Sequence, residues 1–172
     1  METLFHDNKT FRNIVYSEKE TKNREFEHCS FINCNFSDGV FVASKFIDCV
    51  FTNCNLAMVK LVKCQLNNAS FKDCKLLGVN FSDCIDFLFL VKFDGCILDY
   101  CSFIKKKIMK SSFINSSLKN ADFSESDLTK ATFSNADLMN AVFYKTTLKE
   151  VDFLTAFNYI IDPEMNNLNS SN

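Results

Sequence analysis

Large apolar residues fall at every fifth position over most of the chain. From Phe26 the series runs through Phe31, Phe36, Phe41, Phe46, Phe51, Leu56, Leu61, Leu66, Phe71, Leu76 and Phe81. It slips by two and resumes at Phe93, Leu98, Phe103, Ile108, Phe113, Leu118, Phe123, Leu128, Phe133, Leu138, Phe143, Leu148 and Phe153. Two residues before each of these 25 centres stands a small side chain in 23 cases, Arg24 and Lys106 being the exceptions. Two residues after, 13 of the 25 are Asn, Asp or Gly, which tolerate left-handed backbone and favour turns.

Neither a helical period of 3.6 nor a strand period of 2 divides this pattern. A unit of five with one large and one small inward residue, ended by a turn, describes one side of a coil. If four units close a coil, residues twenty apart stack. The second half fits that closure: Phe93, Phe113, Phe133 and Phe153 form one column, and Phe103, Phe123 and Phe143 another, with aliphatic columns between them. Like shapes then face each other across a square core.

The segment from Ala121 to Phe143, ADFSESDLTKATFSNADLMNAVF, resembles the pentapeptide-repeat family in its A-D/N-L/F-x-x units. The resemblance covers about residues 24 to 155 and implies an all-β fold: a right-handed quadrilateral β-helix of about six and a half coils, broken in register near residues 82–92. With ~4.8 Å between strands the rod is roughly 31 Å long. Residues 1–23 are expected to be an N-terminal cap or irregular first coil, 24–155 the β-helix, and 156–172 a C-terminal cap and polar tail.

A net charge of −2 gives no reason to expect broad attraction to nucleic acid or anionic lipid. No stretch reaches the ~18 apolar residues of a membrane helix. The start, METLFHDNKTFRN, lacks a signal peptide's apolar run. Nine Cys invite a metal or disulfide reading, but Cys29, Cys34, Cys49, Cys54, Cys64, Cys74, Cys96 and Cys101 all occupy the small inward slot, and Cys84 holds it in the old frame. Such columns are lines, not the converging ligands of a zinc site, so packing filler in a reducing cytoplasm is the expectation.

Catalytic constellations are missing: there are two His, and three Gly build no phosphate loop. Asp122, Asp127, Asp137 and Asp152 precede their centres and should bond adjacent turn backbone. No enzyme, cofactor or metal is expected. The leading function is a non-enzymatic binding scaffold with a protein partner. The alternative implied by the resemblance is a DNA mimic of the Qnr and MfpA branch, which binds gyrase and topoisomerase IV. Lys60, Lys63, Lys72, Lys75, Lys105, Lys106, Lys107 and Lys110 depart from the acidic surface that role needs.

The candidate lateral contact is Phe87, Leu88, Phe89 and Leu90 in the break, since four large apolar residues cannot all point inward. The alternative is a bulge folded back on its own face. Lys105–Lys107 reads as a solvated run, with Lys106 at a local bulge or snorkelling from the corner. Qnr-type proteins tend to end in a dimerising apolar helix. Here TAFNYIIDPEMNNL leaves no room for one, so either Phe157, Tyr159, Ile160 and Ile161 cap a monomer or a C-terminal module is absent. Because Phe5, Phe11, Ile14 and Tyr16 suffice to cover the first coil, the C-terminal end is expected to be the weaker cap. Phe157 is accordingly the candidate contact for a homodimer through that end.

Overall fold

In each unit the small residue and the centre stand one residue apart. A short extended segment therefore turns both toward the axis and the residue between them outward. The computed structural model, which describes residues 4–168, follows this rule unit after unit. The turns come from the residue two after the centre, which takes φ between 49° and 61° at positions such as Asn33, Asp48, Lys105 and Lys130. Left-handed backbone is unfavourable for side chains other than Gly. It persists here because most such N–H groups donate to the next coil, as Asn33 does to Thr52 O and Lys105 to Ser124 O.

Stacked coils pair in parallel along four sides. The first side joins Leu4–Asp7, Arg24–Glu27, Lys45–Ile47 and Gln65–Asn67. The second joins Thr10–Arg12, Ser30–Ile32, Val50–Thr52, Ala69–Lys72, Val91–Asp94 and Ser112–Ile114. The third is a line of single bridges from Val15 through Lys75 and Ile97 to Phe157, and the fourth begins with Glu20–Lys22, Val40–Val42 and Lys60–Val62. Partners are twenty apart, as in Phe31↔Phe51, but twenty-two apart across the break, as in Phe71↔Phe93. The fold is thus the quadrilateral β-helix that the resemblance implies.

Ring columns fill the interior. On the second side Phe11, Phe31, Phe51, Phe71, Phe93, Phe113, Phe133 and Phe153 stack in one series with centroids 4.6–5.5 Å apart. Facing them, Phe81, Phe103, Phe123 and Phe143 stack at 4.7–5.2 Å. Rings of neighbouring columns meet edge-on, the arrangement their quadrupoles favour.

All nine cysteines are free and buried. Their Sγ atoms sit against main-chain carbonyls, as Cys54 does at 3.3 Å from Phe31 O. Burial pushes the Cys49 thiol up to about 12 and Cys64 to about 11. Cys74 is raised by its hydrogen bonds with Cys54 and Cys96 and by burial. Ser116 and Ala136 continue the slot that Cys34, Cys54, Cys74 and Cys96 occupy. Cys54→Ala is therefore expected to preserve the fold at a cost of about 1 kcal/mol. Circular dichroism and a melting curve check the fold. Stoichiometric zinc in the wild type, lost with this substitution, would overturn the filler reading.

Both ends differ from expectation. Residues 4–23 form a regular coil in register, with Phe11 pairing Phe31 and Thr21 pairing Phe41, rather than a cap or irregular turn. Turn residues Asn8, Asn13, Glu18 and Asn23 keep the five-residue beat although His6, Tyr16 and Thr21 replace the usual centres. This coil does not cover the axis: Phe5 is exposed, and a cavity of about 200 Å³ opens beyond Phe26 and Phe41.

The C-terminal end is the better closed. Tyr159 stacks on Phe153 at 5.1 Å, Asn166 Nδ2 donates to Phe143 O, and Asn167 bridges Thr147. The order of the caps is the reverse of that expected, because turns at Asn158 and Asp162 fold the short segment back over the last ring. The tail residues 169–172 lie outside the described residues.

Candidate functional site at the register break

The extra two residues are confined to one unit of the first side. Asn80 Oδ1 accepts from Ser82 N and starts a tight turn over Phe81–Asp83. Cys84 then enters the small slot, and Ile85 N donates to Cys64 O at 2.8 Å, still in register. The chain leaves the ladder at Asp86, turns through Leu88 at φ 53°, and closes with Phe89 N donating to Asp86 O. Leu90 rejoins the coil below: its N–H donates to Leu66 O and its carbonyl accepts from Ala69 N. The loop is thus pinned at both ends.

That geometry decides where each apolar side chain goes. Phe89 is buried and supplies the ring that this unit owes the core. Leu90 is half-buried. Phe87 and Leu88, at the turn, are each 65% exposed. Of the four candidate contact residues, two face solvent and one is core. Phe89 is corrected from contact residue to core residue, because a unit of seven still has one inward position for a large side chain. Ile85 and, one coil further along the same side, Met109 add exposed apolar surface. Phe157 is half exposed on the third side of the last coil, three bridges beyond Ile97. The structure does not bring it together with the loop.

Lys106 holds the loop in place. It occupies the small slot directly after Cys84 in its column and is 2% exposed. Its Nζ donates to Cys84 O at 2.5 Å and to Asp86 Oδ1 at 2.8 Å, and lies 4.5 Å from the Phe89 ring centroid. One ammonium thus ties the loop's entry, its turn and its buried ring. The expected solvated run is split: Lys105 and Lys107 are exposed, while Lys106 neither bulges nor snorkels out. A signal for this was present. The two anomalies, a break at residue 84 and a lysine in the small slot at 106, are one interrupted coil apart.

The remaining polar groups do structural work. Asp122, Asp127, Asp137 and Asp152 each accept a hydrogen bond from the backbone N–H two residues on, at 2.8–3.2 Å. Among the described residues, the ligand atoms of Asp7, Glu27 and His28 lie within 4.8 Å of one another on the surface. Within that group His28 Nδ1 is 3.3 Å from Asp7 Oδ1, a contact that holds the Asp7 carboxyl below its ordinary value. Both signs of charge share the surface, with Lys45 paired to Glu25, Lys119 to Asp137 and Lys130 to Glu150.

Two sequence profiles match the chain: one described as a pentapeptide repeat region over residues 24–103, the other as pentapeptide repeats over residues 109–153. Among solved structures, trypsin-treated QnrB1, a plasmid-mediated fluoroquinolone resistance protein, is 20% identical. It covers 97% of this chain and 89% of its own, with a TM-score of 0.48. HetL, involved in heterocyst differentiation regulation in the cyanobacterium Nostoc, is 16% identical over 90% of this chain and 85% of its own, with a TM-score of 0.32. A pentapeptide repeat protein of the Arabidopsis thaliana thylakoid lumen is 13% identical over 75% and 68%, with a TM-score of 0.30. No curated protein matches the chain.

Proposed function

The chain belongs to the pentapeptide-repeat family, and from that premise we propose that it is a non-enzymatic binding scaffold whose lateral contact is the loop at residues 84–90. The observation that carries this reading is the pinned turn that keeps Phe87 and Leu88 in solvent on an otherwise regular rod. Fixed, exposed apolar side chains mark contact sites, and a loop ordered in advance loses little entropy on binding. Exposed Asp83 and Asp86 on the loop and exposed Lys107 and Lys110 one coil on make the surroundings of mixed charge, so the partner surface is apolar at its centre. Nine free, buried thiols support a reducing compartment such as the cytoplasm. Among the described residues no helix is long and apolar enough to cross a membrane.

A photo-crosslinking residue at position 87, compared with one at position 130, tests this in cells that make the protein. A discrete protein adduct from position 87 alone is the expected result. Identical adduct patterns from the two positions would overturn the reading.

The finer alternative, a mimic of DNA that protects gyrase from quinolones, requires a continuous acidic face. The mixed surface charge, with Lys105, Lys107 and Lys110 exposed, weighs against it. We expect no protection of gyrase supercoiling in the presence of a quinolone, even at molar excess of this protein; protection at low stoichiometry would reverse that order. A homodimer through the C-terminal end draws support from Leu154, Phe157 and Ile160, all exposed there. Sedimentation of Phe157→Asp against the wild type checks it, with dissociation expected for the variant alone.

A further inference from the structure

The first coil fills one core slot with a short side chain, Thr21. In the fourth-side column Thr21 pairs Phe41, which pairs Leu61, and the positions that follow are Phe81, Phe103, Phe123 and Phe143. On two sides of the first coil a ring covers the ring above it: His6 lies on Phe26 at 4.9 Å and Phe11 on Phe31 at 5.0 Å. Phe41 meets Phe36 and Phe46 only edge-on, and among the described residues no ring stacks on its face. The cavity of about 200 Å³ opens at this place, bounded by Thr21, Arg24, Phe26, Phe36, Phe41 and His6.

The wall also holds a cation where the repeat calls for a small side chain. Arg24 occupies the slot that Ser44, Cys64 and Cys84 occupy in later coils. Among the described residues no carboxylate pairs with its guanidinium. The His6 ring is held below its ordinary pKa by burial and then by the Arg24 charge. Arg24 is the cation that lines the cavity.

We infer that the N-terminal mouth of the rod binds a small aromatic carboxylate, whose ring takes the place left by Thr21 against Phe41 and whose carboxylate pairs with Arg24. A ring entering here gains the stacking contact that the other columns supply from within the chain. A planar, bidentate carboxylate fits the guanidinium fork. The volume is below that of a drug-sized pocket and suits one ring with a short acid arm. The site lies in the first coil, away from the loop, and does not depend on how the loop is read.

Calorimetric titration with 3-phenylpropionate, 3-phenylpropan-1-ol and hexanoate tests the inference on the wild type, Arg24→Met and Thr21→Phe. The aromatic acid is expected to bind the wild type at least ~10-fold tighter than the alcohol or the ring-free acid, the scale of one charge-assisted hydrogen bond. Arg24→Met should remove the acid's advantage over the alcohol. Thr21→Phe should abolish binding and raise the melting temperature, because its ring completes the column. Equal affinity of acid and alcohol for the wild type, absence of binding at millimolar acid, or retention of binding by a folded Thr21→Phe overturns the inference. If Thr21→Phe does not fold, the acid-to-alcohol ratio in wild type and Arg24→Met decides.

Discussion

Phe123→Ala is expected to lower stability by about 3–5 kcal/mol, whereas Lys130→Ala should change it by no more than about 0.5 kcal/mol. Phe123 is fully buried, stacked on Phe103 at 5.0 Å and Phe143 at 5.2 Å and edge-on to Phe113 and Phe133 at 5.7 Å each. Truncation removes contacts in the coil itself and in both neighbours. The void cannot close, because the ladder fixes the spacing of the coils. Lys130 is an exposed turn residue facing Glu150 at 3.4 Å, a surface pair that contributes little. Each coil touches only its neighbours, so the loss should loosen the C-terminal coils before the N-terminal ones. Chemical denaturation compares the midpoints, and hydrogen exchange locates the loosening. Matching midpoints would mean that the ring columns do not hold the rod together.

The columns themselves were legible from spacing. A large residue every fifth position and a small one two before it admit only an inward-facing pair per side. Closure by four was readable from the recurrence of Phe at twenty. The first coil was less legible because its inward positions are His6, Phe11, Tyr16 and Thr21, and only Phe11 belongs to the set of centres elsewhere. Its turn residues carried the register instead. The caps were misjudged because apolar content does not say where side chains go. Phe5 faces out at one end, while Tyr159 folds over the axis at the other.

Within the break, composition left Phe87 and Phe89 equivalent. What separates them is the turn at Leu88, which interrupts the alternation of an extended chain and leaves Phe87 and Leu88 in solvent while Phe89 is buried. The cysteines were readable because their slot also accepts Ser and Ala, so only size and modest polarity matter there.

Asp86→Ala is expected to cost about 2 kcal/mol, and more than Lys106→Met, although Lys106 is the buried member of the pair. Asp86 is 48% exposed, so water reaches it and screens part of the attraction, which sets the figure at the low end for a buried ion pair. Its removal nevertheless leaves the Lys106 ammonium in the core with the Cys84 carbonyl and the face of Phe89 as its remaining partners. In Lys106→Met the charge and its need for a partner vanish together, the slot stays filled, and Asp86 rotates into solvent.

The double variant should therefore recover most of the loss, with a coupling of at least about 1 kcal/mol in the double-mutant cycle. Denaturant midpoints of the four proteins supply that cycle. The variants that lose the ion pair should also expose Phe89, read as faster proteolysis within residues 84–90, because the turn would then lose its side-chain tie and keep the Phe89 N–H bond to Asp86 O across it. Additive effects with unchanged proteolysis would shift the hold on the loop from Lys106 to the packing of Phe89. In that case the exposure of Phe87 and Leu88 would follow from ring burial alone.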